Sequence, residues 1–101
     1  MFVLIDDERN MGADIICRTP DGAKEVLWDM QGKLYVLGID HDLGYTETGH
    51  DLIKWAIARG ILSNTVQLVT MNPAGGMAMA LTLRDAGYIT NDGLNFVKGA
   101  D

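Results

Sequence analysis

Leu34-Tyr35-Val36-Leu37-Gly38-Ile39-Asp40-His41-Asp42-Leu43-Gly44 decides how this chain is read. The run from Leu34 to Ile39 is almost wholly apolar and stops abruptly at two acids flanking a histidine. Short, continuous apolar runs mark strands buried on both faces, as in parallel sheets. In open sheets of that kind, sites form beyond the carboxyl ends of the strands. Asp40, His41 and Asp42 therefore fall where chemistry is expected.

The same pattern repeats upstream. Phe2 to Ile5 is apolar and runs into Asp6-Asp7-Glu8, a first strand with its own acidic end. Arg9 to Asp14 reads as a polar loop, and Ile15 to Arg18 as a second short strand. Thr19-Pro20-Asp21 is a helix start: Thr as N-cap, Pro at the first helical position, acid in the first turn. Ala23, Val26, Leu27 and Met30 follow at helical spacing, with Gly32 as the expected stop.

Downstream, Thr48 with Asp51 forms a capping pair, and Leu52, Ile53, Ala56 and Ile57 give a buried stripe that ends at Gly60. Val66 to Val69 is a fourth strand, leading to Thr70-Met71-Asn72-Pro73. Asn72 and Pro73 open a third helix, with Met77, Ala80, Leu81 and the stem of Arg84 expected on its inner face, Met77 and Met79 as packing residues, and Gly87 at its close. Leu94 to Val97 is the last expected strand, ending at Lys98.

Strands alternating with helices predict a single three-layer α/β domain over residues 1–101, with a parallel sheet of flavodoxin-like order 2-1-3-4-5. The link between the first two strands is shorter than the ~10–12 residues of a helical crossover. The first helix is therefore expected to be missing or reduced to a loop.

Totals narrow the function classes. The formal net charge of −6 disfavours duplex DNA and anionic membranes as partners. No apolar segment approaches the ~18 residues of a membrane span, and the N-terminal run is too short for a signal peptide. Cys17 is the single cysteine, so no internal disulfide forms and a cytoplasmic setting is expected. Nothing specifies an oligomeric state.

In the predicted order, strands one and three are neighbours, so Asp6, Asp7, Asp40 and Asp42 converge, with Glu8 close behind. If the third strand continues, Asp40 and Asp42 share a face and His41 points away from them. Each close carboxylate pair repels by roughly 1–4 kcal/mol at 4 Å. A bound divalent cation, raised carboxylate pKa values, or pairing with Arg9 or a histidine would relieve this. The alternative is that the acids splay into solvent. His41 is either a general acid or base, or a packed histidine; His50 in a first helical turn is either a surface or a site residue. Asn72 and the glycines Gly75 and Gly76, at a helix start, offer N–H groups to an anion.

Together, Asp6-Asp7-Glu8-Arg9, Asp40-His41-Asp42-Leu43-Gly44, Thr48-Gly49-His50-Asp51 and Met71-Asn72-Pro73 with Gly75-Gly76 resemble the cyclic-phosphate-processing receiver-like family (cREC), over almost the whole chain. The resemblance implies a receiver-like fold and a role in handling cyclic phosphates on RNA ends or nucleotides, in conflict or repair settings. Asp6, Asp7, Asp40, His41, Asp42 and Asn72 fall on family motif positions. The chain departs from the pattern at Thr70, where relatives carry Ser, and at His50, where an aromatic is usual.

Three functions are carried forward. The first is a metal-assisted phosphoesterase acting on a small phosphorylated ligand or RNA end. In it Asp6, Asp7 and Asp40 or Asp42 hold Mg²⁺ or Mn²⁺, His41 is the acid or base, and Arg9, Thr70, Asn72, Gly75 and Gly76 hold phosphate. The second is a receiver phosphorylated on Asp40 and assisted by Thr70 and Lys98. The third is a small acidic binding or inhibitor protein.

Overall fold

The computed structural model describes residues 1–99. In chain order the elements are β1 (Phe2–Ile5), β2 (Ile15–Cys17), α1 (Pro20–Asp29), β3 (Val36–Ile39), α2 (Gly49–Ala58), β4 (Thr65–Leu68), α3 (Pro73–Asp85), β5 (Tyr88–Thr90) and β6 (Asn95–Lys98). The helix starts are those expected. The Thr19 side chain accepts from the Gly22 N–H, and Asn72 accepts from the Gly75 N–H. Thr48 and Asp51 form a reciprocal capping box. Gly60 and Gly87 follow the second and third helices with φ of +67° and +95°, values that favour glycine.

The first helix is absent, as expected: a loop joins β1 to β2. Arg18 braces that loop by donating from Nη1 to the carbonyls of Asp6 (3.1 Å) and Arg9 (2.7 Å). The apolar run before Asp40 begins as strand only at Val36, and Leu34 is 90% exposed.

The sheet has six strands in the order β2-β1-β3-β4-β6-β5. The first four are mutually parallel, while β6 pairs antiparallel with both β4 and β5. This corrects the five-stranded, all-parallel expectation. After α3 the chain forms an outer strand at Tyr88, turns through Asn91-Asp92-Gly93, and returns as a hairpin arm beside β4. Asp92 holds the turn by accepting from the N–H groups of Leu94 and Asn95, each at 2.8 Å. The Tyr88 hydroxyl anchors the edge strand by donating to the Ser63 carbonyl at 2.6 Å.

The domain has two layers rather than three. One apolar core joins alternate strand residues, among them Ile5, Ile39, Val66 and Phe96, to Leu27, Leu52 and Leu83 of the three helices. The topology explains this. The crossovers β2→β3, β3→β4 and β4→β5 all advance in one direction along the sheet, so crossovers of one hand put all three helices on one face. The other face carries Phe2, Leu4, Val36 and Gly38 at its centre, and Ile89 and Val97 at its edge are 66% and 50% exposed. A Cβ on Gly38 would press into the Phe2 ring at 2.7 Å, so the missing side chain lets Phe2 lie over the strand.

The inner face of α3 is Gly75, Met79 and Leu83, with Ala80 half-buried. Met77 and Leu81, expected inside, are 68% and 59% exposed. No helix among the described residues is long and apolar enough to cross a membrane.

Candidate functional site

The parallel strands β1 and β3 end side by side, with Ile5 paired to Ile39, and each is followed by an aspartate. Asp6 and Asp40 continue the ladder: the Asp6 N–H donates to the Cys17 carbonyl, and the Asp40 N–H to the Ile5 carbonyl. Their backbones are therefore fixed by the sheet. Asp6 is 1% exposed and Asp40 8%. Asp6, Asp7 and Asp40 each bring a carboxylate oxygen within 4.8 Å of the others.

Arg9 lies between two of these acids. Its Nη1 is 2.9 Å from Asp6 Oδ2 and 3.4 Å from Asp40 Oδ2. Asp6 Oδ1 also accepts the N–H groups of Glu8 and Arg9, both at 2.9 Å. Burial pulls the Asp6 pKa upward, but these hydrogen bonds and the guanidinium outweigh it and hold the carboxyl below its ordinary value. Asp6 in turn raises the Arg9 pKa through their side-chain hydrogen bond. Pairing with Arg9, one of the reliefs considered for the clustered charge, is present.

Asp42 does not join this group. Strand pairing stops at Ile39 and the chain turns, so the alternation that would put Asp40 and Asp42 on one face does not reach Asp42. Asp42 instead bridges His41 and Asn72. Its Oδ1 is 3.0 Å from His41 Nδ1, and its Oδ2 accepts from Asn72 Nδ2 at 3.2 Å. The hydrogen bond from His41, then that from Asn72, lowers the Asp42 pKa. His41 thus meets Asp42 rather than pointing away from it. Its Nε2 makes no hydrogen bond among the described residues.

Two glycines, Gly75 and Gly49, make this arrangement possible, and the place of Gly75 is not the anion cradle expected of the Gly75–Gly76 pair. The His41 ring lies flat against Gly75: a Cβ there would sit 2.5–2.8 Å from ring atoms. Gly49, at the first turn of α2, packs directly on the Asp40 carbonyl and donates its N–H to the His41 carbonyl at 2.8 Å. Neither Gly75 nor Gly76 has an N–H left for a phosphate. Gly75 donates to the Asn72 side chain, and Gly76 to the Asn72 carbonyl at 2.8 Å. Asn72 holds the helix cap through Oδ1 and Asp42 through one Nδ2 hydrogen, which leaves its second Nδ2 hydrogen without a partner among the described residues. Thr70 remains at the edge, its Oγ1 accepting the Asn72 N–H at 3.0 Å.

His50 and Lys98 are not brought to the site. His50 Nε2 is 2.7 Å from Thr82 Oγ1, a link between α2 and α3. Burial first, then the charges of Lys54 and His41, lowers its pKa. Because β6 runs antiparallel, Lys98 lies near the opposite edge of the sheet, where Nζ donates to the Ala86 carbonyl at 2.6 Å. Glu8 is exposed and stands outside the three-acid group. Arg18, which braces the backbone around the acids, carried no sequence signal beyond its residue type, and Gly49 stood in the Thr48-Gly49-His50-Asp51 motif with no role of its own.

No curated protein and no solved structure matches the chain. One family profile, described as cyclic-phosphate processing receiver domain, matches residues 1–85, from the first strand to the last residue of α3, and leaves the β5–β6 hairpin outside. The match covers most of the chain and all of Asp6, Arg9, Asp40, His41, Asp42 and Asn72, so the chain belongs to the cyclic-phosphate processing receiver domain family.

Proposed function

We propose that this domain is a phosphoesterase that opens cyclic phosphates at the edge where β1 and β3 end. The observation that carries this reading is the pairing of two units in one place: three clustered carboxylates, two of them paired with Arg9, and an Asp42–His41 dyad beside them. The first unit suits the phosphate and a cation; the second suits proton transfer.

The donor set of Asp6, Asp7 and Asp40 fits a hard divalent cation such as Mg²⁺ or Mn²⁺, because all three offer oxygen at compatible spacing. Such an ion, when bound, would neutralise phosphate charge and lower the pKa of bound water. Arg9 would turn from the carboxylates to a phosphate oxygen, which its forked donors suit. Asp42 would hold the His41 tautomer with its proton on Nδ1, leaving Nε2 to take a proton from the attacking water. Opening the ring adds water across one P–O bond, and the leaving oxygen regains a proton. Thr70 would donate its hydroxyl proton to a phosphate oxygen. The open edge can take a nucleotide or an RNA end.

A metal-free binding site is the second reading, favoured by the way Arg9 already neutralises Asp6 and Asp40. Phosphoryl acceptance by Asp40 loses support, because Lys98 stands at the other edge.

The test is a thermal melt with and without Mg²⁺ or Mn²⁺, together with turnover of a 2′,3′-cyclic nucleotide, on wild type and Asp40→Asn. A metal-dependent rise of about 2.7 kcal/mol at 100-fold over Kd, lost with turnover in a folded variant, supports the phosphoesterase. Phosphate binding without any metal response, surviving Asp40→Asn, replaces it with the binding protein. An unchanged turnover in Asp40→Asn rejects the residue assignment.

A further inference from the structure

The exposed side of α3 faces a groove of about 390 Å³, whose other bank is the loop entering β6. Met77 and Leu81 stand on the helix side and Leu94 on the loop side, with Leu68 between them. The first three are more than half exposed. A single exposed apolar side chain needs no explanation, but three around one concavity do. Arg84 closes the far end. Among the described residues its side chain has no carboxylate or hydrogen-bond partner, although the chain as a whole is acidic. Thr70, Asn72 and Gly76 form the near end, and Asn72 donates to Asp42. The groove is thus continuous with the phosphate edge.

These features describe a ligand. It has flat or rounded apolar surface for Met77, Leu81 and Leu94, acceptor atoms for Arg84, and a polar group at the near end that reaches His41 and Asp42. An uncharged fatty chain would leave Arg84 unused, a fatty carboxylate would pair with Arg84 but bring no second polar group to the near end, and a free sugar would leave the three apolar side chains in water. The volume lies at the low end of the ~300–1,000 Å³ of small-molecule sites, room for one nucleoside rather than several. Methionine suits such a wall because its polarisable sulfur packs well on aromatic faces. Guanidinium groups donate to, and stack on, planar bases. The loop bank is already ordered, since Asp92 accepts the N–H groups of Leu94 and Asn95.

We infer that the groove is a nucleobase subsite, so that the ligand is a nucleoside phosphate. The base lies between Met77 or Leu81 and Leu94, and the phosphate points toward Thr70 and His41. The placement of the phosphate rests on the proposed function; the base subsite does not.

Methyl-labelled Met and Leu resonances separate the two. Adenosine or uridine alone, without any phosphate, is expected to shift Met77, Leu81 and Leu94. Glycerol 1,2-cyclic phosphate, which has no base, is expected to leave those methyls in place and shift His41. Adenosine 2′,3′-cyclic phosphate is expected to bind at least ten-fold tighter than the glycerol ester, and Leu81→Gln, an exposed substitution of similar helix propensity, to remove that advantage with little change in Tm. If neither nucleoside nor the cyclic nucleotide moves the three methyls, the inference is overturned. If a nucleoside moves them while the glycerol ester leaves His41 unmoved, the base subsite stands and the phosphoesterase reading falls.

Discussion

Alanine at position 49 is the most informative substitution in this fold. By helix propensity alone Gly49→Ala, in the first turn of α2, should gain up to ~1 kcal/mol. The structure reverses the sign. The added Cβ would overlap the Asp40 carbonyl oxygen and lie 2.9 Å from the Asp40 carbonyl carbon and 3.2 Å from Ile39 Cγ1. Those atoms belong to the backbone at the end of a central strand and to a packed side chain, so neither can rotate away. Inserting a methyl into such a site costs about 1–3 kcal/mol. The Gly49 N–H bond to the His41 carbonyl, worth about 0.5–1.5 kcal/mol, is strained at the same time. Subtracting a propensity gain of ~1 kcal/mol leaves a net loss of about 0.5–3.5 kcal/mol, and its midpoint near 2 corresponds to roughly 8–16 °C in Tm for a chain of this size. Gly76→Ala is the matched control. Its Cβ would meet only Thr70 Cγ2, at 3.2 Å, and a slight shift of that methyl relieves the contact. Urea melts of both variants measure the difference, which should exceed 1.5 kcal/mol, an order-of-magnitude margin set by the same overpacking cost. A Gly49→Ala protein as stable as wild type would refute the direct contact between the helix start and the strand end, and with it the account of how Asp40 is held.

Three further outcomes are expected. Arg9→Met leaves Asp6 and Asp40 without their partner and should cost about 1–2 kcal/mol, less than the ~3–5 of a fully buried pair because a third of the Arg9 side chain is exposed. Asp6 has a folded pKa below 3.8, so its contribution is present above the unfolded value and lost as pH falls through the folded one; Arg9→Met should flatten the acid limb of a stability–pH profile, and an unchanged limb would count against the pairing. His50 should titrate below 6.5 by NMR. Protonation then opposes folding, so stability should decline as pH falls through that value, and His50→Gln should remove the decline. Asp92, held well below its ordinary pKa first by the Asn95 backbone N–H, should keep amides 94 and 95 protected from exchange above the unfolded carboxylate range and release them as pH falls; Asp92→Ala should expose them at neutral pH.

The local signals in this chain were strong, and the structure bears them out. Thr19-Pro20, Thr48 with Asp51, and Asn72-Pro73 each start a helix, because a cap is decided by a handful of adjacent atoms. The short Arg9 to Asp14 link excluded a first helix by length alone. What escaped were features set by partners distant in sequence. The α3 segment carries two apolar stripes, Gly75-Met79-Leu83 and Met77-Ala80-Leu81, and only the docked sheet decides which is buried. The hairpin did leave a signal, since Asn91-Asp92-Gly93 is a turn sequence, yet Tyr88-Ile89-Thr90 before it is too short to stand out as a strand. At the site, the two acidic clusters were legible as strand ends. The split of Asp40 from Asp42 was not, because it depends on where pairing stops. Gly75 looked like a phosphate cradle, and only the His41 ring across from it shows the space is already taken.

Arg9, clasped by Asp6 and Asp40, makes the edge its own counter-ion. On the proposed function, a cation and an anion would then not enter independently. A phosphate that drew the guanidinium away would leave the carboxylates short of positive charge and so raise their affinity for metal. A metal on the carboxylates would free the guanidinium for phosphate. Thermodynamic reciprocity requires the two enhancements to be the same factor, typically 5–150-fold for coupled sites. Metal titrations with and without inorganic phosphate, and phosphate titrations with and without metal, read that factor twice; equal affinities in every arm would show that Arg9 never leaves its carboxylates.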